Sequence, residues 1–507
     1  MTTATRTAFD DLAIDLRESD LLGSTGQILD WDQETMMPEG GVEYRSRQLA
    51  ILARMVAERD QSATRGELIA ACEADSELLS DPVNAGVVRE ARRDYERAVK
   101  VPPRLVEELT KTSSIAKHEW AQARANSDFK RFQPWLEKLV ALLREQAACL
   151  GWDRASGEPW DALADLYEPG CTARMVEGVF TPLRARLQSF VAELATAPRK
   201  PSNAFNEFEI PFEKQEHYCR FIAAKVGFDL SRGRLDRSTH PFCGGSHCND
   251  IRMTTRYALN CLNDGLGSTL HESGHGIYEQ GLLFSQVGLP SGKSVSLGIH
   301  ESQSRMWENQ VGRSRGFWKW AQGTFKQELG VDPQRFSLDE LYEAANIVEP
   351  GFIRVESDEA TYNLHIMVRF EIERAVLRGD LEVAGIPSMW NRLYKDYLGL
   401  TVPDDRRGCL QDIHWSMGSM GYFPTYTLGN LYSAQFFDAA RIAIPDLEAR
   451  IEQGDFGALK SWLNREIHQH GRQFSPSELV QRVTGKPLSA EPLMRHLEGK
   501  LRPLYGI

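Results

Sequence analysis

Two histidines four residues apart, with a glutamate behind the first, constrain this chain more than any other feature: His271-Glu272-Ser273-Gly274-His275. On a helix, residues four apart leave the same face one turn apart, so both imidazoles reach a single ion and Glu272 lies beside it. Zinc in a hydrolytic site takes three protein ligands from neutral imidazole and carboxylate and leaves the fourth position open. Two histidines do not complete such a set. Downstream, His300-Glu301-Ser302 opens a helix-like run with Arg305 and Glu308 on the face of Glu301, and Glu301 is the candidate third ligand.

Each residue type in this pattern has a chemical use. A metal ion lowers the pKa of the water it binds to about 7 and polarises the carbonyl of a scissile amide. Glu272, an unligated carboxylate, takes the water proton during attack and returns it to the leaving amine. The bland reading is a helix with two surface histidines. The helix-permissive lead-in Gly267-Ser268-Thr269-Leu270 and the carboxylate downstream favour the metal.

The rest of the chain reads as mainly α-helical. Apolar residues recur every three or four positions over Phe9–Leu29, Glu43–Arg59, Pro82–Val99, Pro103–Ala125, Phe132–Leu150 and Thr172–Thr196. Pro38, Pro102-Pro103, Pro134 and Pro169-Gly170 mark or cap their ends. Trp31-Asp32-Gln33-Glu34-Thr35 reads as a buried, hydrogen-bonded connection, and Ala197 to Ser202 as an exposed loop or hinge. A helix over Pro211–Val226 precedes the only good β signal, short strands over Arg234–Phe242 and Asp250–Tyr257. The second strand sets Ile251, Met253, Thr255 and Tyr257 against Arg252, Thr254 and Arg256, and offers an edge along which an extended peptide pairs. Helical periodicity returns after Glu301, over Ser357–Leu377, Leu381–Leu398, Leu428–Gln453 and Leu459–His470. One unit over 1–507 is the economical picture: a helical region over 1–197, a small sheet and the H-E-x-x-H helix over 198–300, and a helical region over 301–507 that completes the site.

Composition closes off other classes. A formal net charge of −12 with no basic stripe argues against nucleic-acid binding. No segment approaches 18 uncharged apolar residues and the first residues lack an apolar signal core, so a cytoplasmic protein off the membrane is expected. Eight scattered cysteines fit reduced thiols. Cys243, His247 and Cys248 suggest a second metal site, but no second pair stands at zinc-finger spacing and ordinary thiols in a loop are the simpler reading.

Arg252 on the second strand and Arg354 near a helix start are guanidinium groups of the kind that hold a carboxylate in a bidentate grip, though each taken singly reads as a structural salt bridge. His414 and Tyr422 are neutral donors suited to an oxyanion, with packing as the alternative. His365 reads as a core histidine.

Six motifs in order carry a resemblance. His240-Pro241-Phe242, Asp250 to Thr254 (D-x-R-x-T), His271 to His275, His300 to Gln303, Ile353 to Asp358 (I-R-x-x-x-D) and Gly408 to Trp415 (G-x-x-Q-D-x-H-W) resemble the carboxypeptidase Taq family of metallocarboxypeptidases, with Ser357 where the family usually has alanine. The resemblance implies a mostly helical, saddle-shaped subunit with a deep groove, usually a homodimer. It implies a zinc or cobalt enzyme that removes single residues from peptides with a free C-terminus, broadly but poorly at proline and acidic ends. By the same resemblance His271, His275 and Glu301 are the ligands and Glu272 the general base. Arg252 and Arg354 are candidates to hold the substrate carboxylate, and His414 and Tyr422 to line the site. The rival readings are an oligopeptidase or dipeptidyl carboxypeptidase of the same metal class and, from a different class, a non-catalytic peptide-binding protein.

Overall fold

The computed structural model describes residues 7–507. The chain is mainly α-helical with one small three-stranded sheet, and it divides into two compact units, each assembled from separated segments. The first unit takes the chain up to Val99, then Ser202–Ala345 and Tyr432–Leu488. The second takes Lys100–Pro201, Asn346–Leu431 and Ser489–Ile507. One passage from unit to unit falls at Pro201 and Ser202, inside the proline-flanked stretch that reads as a loop.

The first unit opens with helix Ala8–Thr35, started by a capping box in which Thr7 and Asp10 satisfy each other's backbone donors. Its Leu12 joins Ile69, Cys72, Val88 and Ala91 in a small core. The polar run after Trp31 is not a connection. The helix continues through Thr35, because no breaker intervenes before Pro38 and Arg45 holds the end by donating to the Leu29 carbonyl and, at 2.6 Å, to Asp32. Trp31 is buried against two guanidinium groups, with Arg252 at 4.5 Å and Arg234 at 4.7 Å from its ring.

The sheet differs from its sequence reading in two ways. The first strand, β1 (Gly233–Arg237), stops ahead of Pro241, which removes a ladder donor, and the chain after it forms β2 (Cys243–His247). The glycines of that stretch disguise it as a loop, but Gly245 is needed there: a Cβ on it would stand 2.2 Å from the Asp250 carbonyl oxygen. The strand β3 (Asp250–Thr255) lies in the middle, parallel to β1 and antiparallel to β2, so both of its edges are taken and no peptide adds to it.

In the second unit, Pro103–Asn126 and Phe129–Leu150 form a helical hairpin turned at Ser127, which sits in the left-handed region. Pro134 lies inside the second of these helices instead of bounding it, at the cost of one backbone hydrogen bond. Helix Tyr362–Arg378 is buried along almost its whole length and is packed by Ala173–Ala195 and Ile386–Leu398. Ahead of it, the Ser357 hydroxyl donates to the Ile353 carbonyl at 3.1 Å, and Asp358 accepts from the amides of Ala360 and Thr361. The stretch Leu428–Gln453 is two helices, Pro424–Ala443 and Leu447–Glu452, parted at Pro445. No described helix is long and apolar enough to cross a membrane, and the eight cysteines are unpaired.

Candidate metal centre

The helix Leu262–Gly281 carries His271 and His275, their rings 4.9 Å apart and nearly perpendicular. Glu301 comes from helix Leu297–Arg305, whose first turn is capped by Ser296 accepting from the Ile299 amide at 3.0 Å. What brings these helices together is a glycine. A Cβ on Gly274 would lie 2.4 Å from the Gln303 carbonyl oxygen and 2.5 Å from Ser304 Cα, so the close approach excludes any side chain there.

The donor geometry suits a tetrahedral ion. His271 Nε2 is 3.6 Å and His275 Nε2 3.5 Å from the same carboxylate oxygen, Glu301 Oε2. Donors held at about 2.0–2.2 Å in a tetrahedral arrangement stand about 3.4 Å from one another. Among the described residues these three form the one group of at least three His, Cys, Asp or Glu donors close enough to share an ion, all within 4.8 Å. Cys243, His247 and Cys248 do not form a second one.

The atoms turned away from this point are held by the protein. His271 Nδ1–H donates to Glu308 Oε2 at 2.9 Å. His275 pairs through Nδ1 with His300 Nδ1, and His300 Nε2–H donates to Glu279 at 2.8 Å. Arg305 donates to Glu301 at 2.7 Å and to Glu308 at 3.1 Å, and Arg313 reaches Glu308 at 3.2 Å. Such supports set the tautomer and orientation of metal-binding imidazoles. Glu308 lies in a π-helical stretch, Met306–Val311, that continues the helix bearing Glu301, a distortion frequent at functional sites.

Electrostatics divides the carboxylates. Burial opposes ionisation of Glu301 and Glu308, yet Arg305 and the imidazoles outweigh it and leave both carboxyls well below their usual range, Glu308 at about 2. Glu272 has no such guanidinium partner. Burial, abetted by Glu301, lifts it to about 7 against the pull of His271. Burial and the neighbouring His300 push His275 down to about 3, which keeps it neutral and ready to ligate. For His271 burial works the same way, but Glu301 and Glu308 outweigh it and its imidazole lies above the usual range.

Arg252 belongs to this unit. Its Nε and Nη2 grip both oxygens of Asp250 at 2.9 and 3.0 Å while its plane covers Trp31. The thiol of Cys243 on β2 is pushed well up by burial and by the nearby Glu272 and Glu279.

Arg354, His414 and Tyr422 lie in the second unit, in a cluster of their own. Arg354 is 4% exposed, donates through Nε and Nη2 to Asp412 Oδ1 and through Nη1 to the Tyr362 hydroxyl, and shares Asp412 with Arg369. His414 is pushed down to about 4 by burial and then by Arg354, so it is neutral near pH 7. Its Nε2 is 3.3 Å from the Tyr426 hydroxyl, and its Nδ1 is buried without a hydrogen-bond partner. The Tyr422 ring packs 5.2 Å from both the His414 and Tyr167 rings. His365 is a core histidine, wholly buried, with Nδ1 on the Tyr394 hydroxyl at 2.9 Å.

Sequence reasoning passed over Glu279, Arg369 and Glu373, and gave Asp412 no role beyond its place in the Gly408–Trp415 motif. Glu279 carried a readable signal, since it continues the four-residue spacing of His271 and His275.

Comparison with known proteins bears on all of this. Residues 11–501 match the family described as Carboxypeptidase Taq (M32) metallopeptidase. Thermostable carboxypeptidase 1 of Thermus thermophilus is 42% identical over 98% of this chain and 99% of its own length. Carboxypeptidase 1 of Bacillus subtilis is 35% identical over 94% and 95%. Among solved structures, the M32 carboxypeptidase from Deinococcus radiodurans R1 superposes with a TM-score of 0.95 at 38% identity, covering 99% of this chain and all of that one.

Proposed function

The chain belongs to the Carboxypeptidase Taq family of metallopeptidases and is therefore a metallocarboxypeptidase dependent on a divalent metal, and we propose that it releases C-terminal amino acids one at a time, with broad specificity. The convergence of His271 Nε2 and His275 Nε2 on one oxygen of Glu301 carries this reading. Two imidazoles and a carboxylate are a zinc set, with cobalt as the substitute. A bound ion of this kind supplies the Lewis acid that polarises the scissile carbonyl and acidifies water.

Glu272 is the general base, taking a proton from the attacking water and handing it to the leaving amine. Burial raises the Glu272 carboxyl, the direction that suits a base which must also return the proton. Neutral His414 and Tyr422, which the family resemblance implies line the site, are the candidates for oxyanion donors; the buried, unpartnered Nδ1 of His414 supports a polar role over simple packing. Arg354 and Arg252 are the candidates to hold the terminal carboxylate. Arg354 has the stronger support, because Arg354 and Arg369 on a single Asp412 leave a buried net positive charge.

The eight unpaired cysteines support a reducing, cytoplasmic setting. A homodimer is supported by the exposed Val42, Tyr44, Ile51 and Met55 on helix Val42–Asp60, which has no buried residue; sedimentation at two concentrations reads the mass.

The test is mass spectrometry of a free-acid peptide and its amidated twin, with chelator and with zinc restored. A ladder of single-residue losses from the free acid alone, abolished by chelation and rescued by zinc, is expected. Internal fragments, or equal cleavage of the amidated peptide, would establish the oligopeptidase alternative instead.

A further inference from the structure

Glu373, on helix Tyr362–Arg378, is wholly buried, and among the described residues no lysine, arginine or histidine forms an ion pair with it. Its carboxylate accepts three hydrogen bonds. Oε1 takes the indole N–H of Trp415 at 2.9 Å, and Oε2 takes the indole N–H of Trp160 at 3.2 Å and the backbone N–H of Gly421 at 3.0 Å. Trp415 follows His414 in the chain, and Gly421 precedes Tyr422. The segment that carries both proposed oxyanion donors is thus tied at each end to one side chain.

Nothing about packing calls for an acid here. Burying a carboxyl without a cation is unfavourable, and its burial pushes this one up to about 7. Ionised, as it is above a pH of about 7, it offers two coplanar oxygens, neither of which brings a competing donor, to these three N–H groups. Gly421 adds a second constraint: its φ is +91°, and a Cβ on it would meet the backbone of Ala164 at 2.7 Å, so this end of the segment sits in one conformation against residues 163–164.

We propose that Glu373 is the positioning residue that sets His414 and Tyr422 relative to each other, acting through Trp415 and Gly421. This rests on the roles given above to His414 and Tyr422. Glu373 itself touches no substrate; it works by holding the two donors at a fixed separation, as a preorganised pair demands.

The test uses the full-length, zinc-loaded enzyme at pH 8, where Glu373 is ionised. Glu373→Gln keeps the shape, but its NH2 opposes one of the three donors. The expected result is a fall of about 10–100-fold in kcat/KM for a free-acid peptide, carried mainly by kcat, with the zinc content per chain unchanged. In a His414→Ala background the same change should add less than about threefold, because the pair it holds is already broken. Trp160→Phe removes the one donor that adjoins neither residue, and should lower the melting temperature while leaving kcat/KM within about twofold. Should Glu373→Gln fail to fold, Trp415→Phe cuts the Oε1 link with the carboxylate intact and reads the same coupling.

Full activity in folded Glu373→Gln, or a loss additive with that of His414→Ala, overturns the proposal. So does an equal loss in Trp160→Phe, since that would reduce Glu373 to a stability element. If His414→Ala and Tyr422→Phe themselves keep full turnover, the oxyanion reading fails first, and that result is separate from the behaviour of Glu373→Gln.

Discussion

Gly274→Ala sets helix propensity against metal binding. Alanine in a helix interior is worth about 1 kcal/mol more than glycine, so the substitution strengthens helix Leu262–Gly281 taken alone. The new Cβ, however, would stand 2.4 Å from the Gln303 carbonyl oxygen and 2.5 Å from Ser304 Cα, both backbone atoms with no rotamer to yield. Relief to an ordinary contact of about 3.5 Å requires the two helices to part by about 1 Å. Glu301 travels with the second helix, and its present distances to the two imidazoles are 3.5 and 3.6 Å. Opened by about 1 Å, the three donors no longer close on an ion that wants ligands at about 2.1 Å. The expected loss is about 100-fold or more in zinc affinity, about 3 kcal/mol. Competition against a chelator of known affinity reads it, with circular dichroism of the metal-free protein as a check that helix content is kept. Affinity within a few-fold of the parent would refute the reasoning, because the contact at Gly274 would then not set the donor spacing.

Three further outcomes follow from the same geometry. Glu272→Gln should keep zinc and lose about 10²–10⁴ in kcat, and retained turnover would remove Glu272 from proton transfer. Glu308→Gln leaves the three donors intact but weakens the acceptor behind His271 Nδ1, so zinc affinity should fall about tenfold in the same chelator competition; no change would mean that the His271–Glu308 bond does not support the site. Glu373, with a folded pKa of about 7 against about 4.5 unfolded, favours folding in its protonated form: that contribution is full below pH 4.5 and lost as pH rises through 7. Urea unfolding at pH 4.5 and pH 8 should show the parent losing about 3 kcal/mol more than Glu373→Gln over that span, and parallel pH curves would contradict it.

How much of this was legible depended on whether the information was local. The spacing of His271 and His275 encodes their shared face, and the run after His300 put Glu301, Arg305 and Glu308 on one side of a helix, where the structure has them bonded to each other. Pro445 splits a stretch whose apolar period runs on through it, and β2 hides because glycines that serve a bulge look like those of a loop. Strand order was out of reach: that β3 is central follows from its pairing with β1 and β2, which no pattern within Asp250–Thr255 specifies. The same holds for Arg354, whose carboxylate partner Asp412 lies far along the chain, and for Glu373, an acid in a buried helix whose purpose is visible only through Trp160, Trp415 and Gly421.

The order in which the first unit is written along the chain also bears on how it is made. Its three segments are separated by long stretches belonging to the second unit, and its last segment reaches back to the site: His468 is hydrogen-bonded to Gln303 at 2.9 Å. On a ribosome, His271, His275 and Glu301 are synthesised well before the residues that complete their unit. At about 5–20 residues per second the interval is on the order of ten seconds. During that time the helix Leu262–Gly281 has its earlier neighbours but lacks the packing of Gly457–Glu466 and His468–Gln473, so nascent chains stalled before Tyr432 should bind zinc more weakly and be cut more readily by protease. Protection that appears only once Tyr432–Leu488 is made would show that the closed unit, and not the motif alone, holds the site.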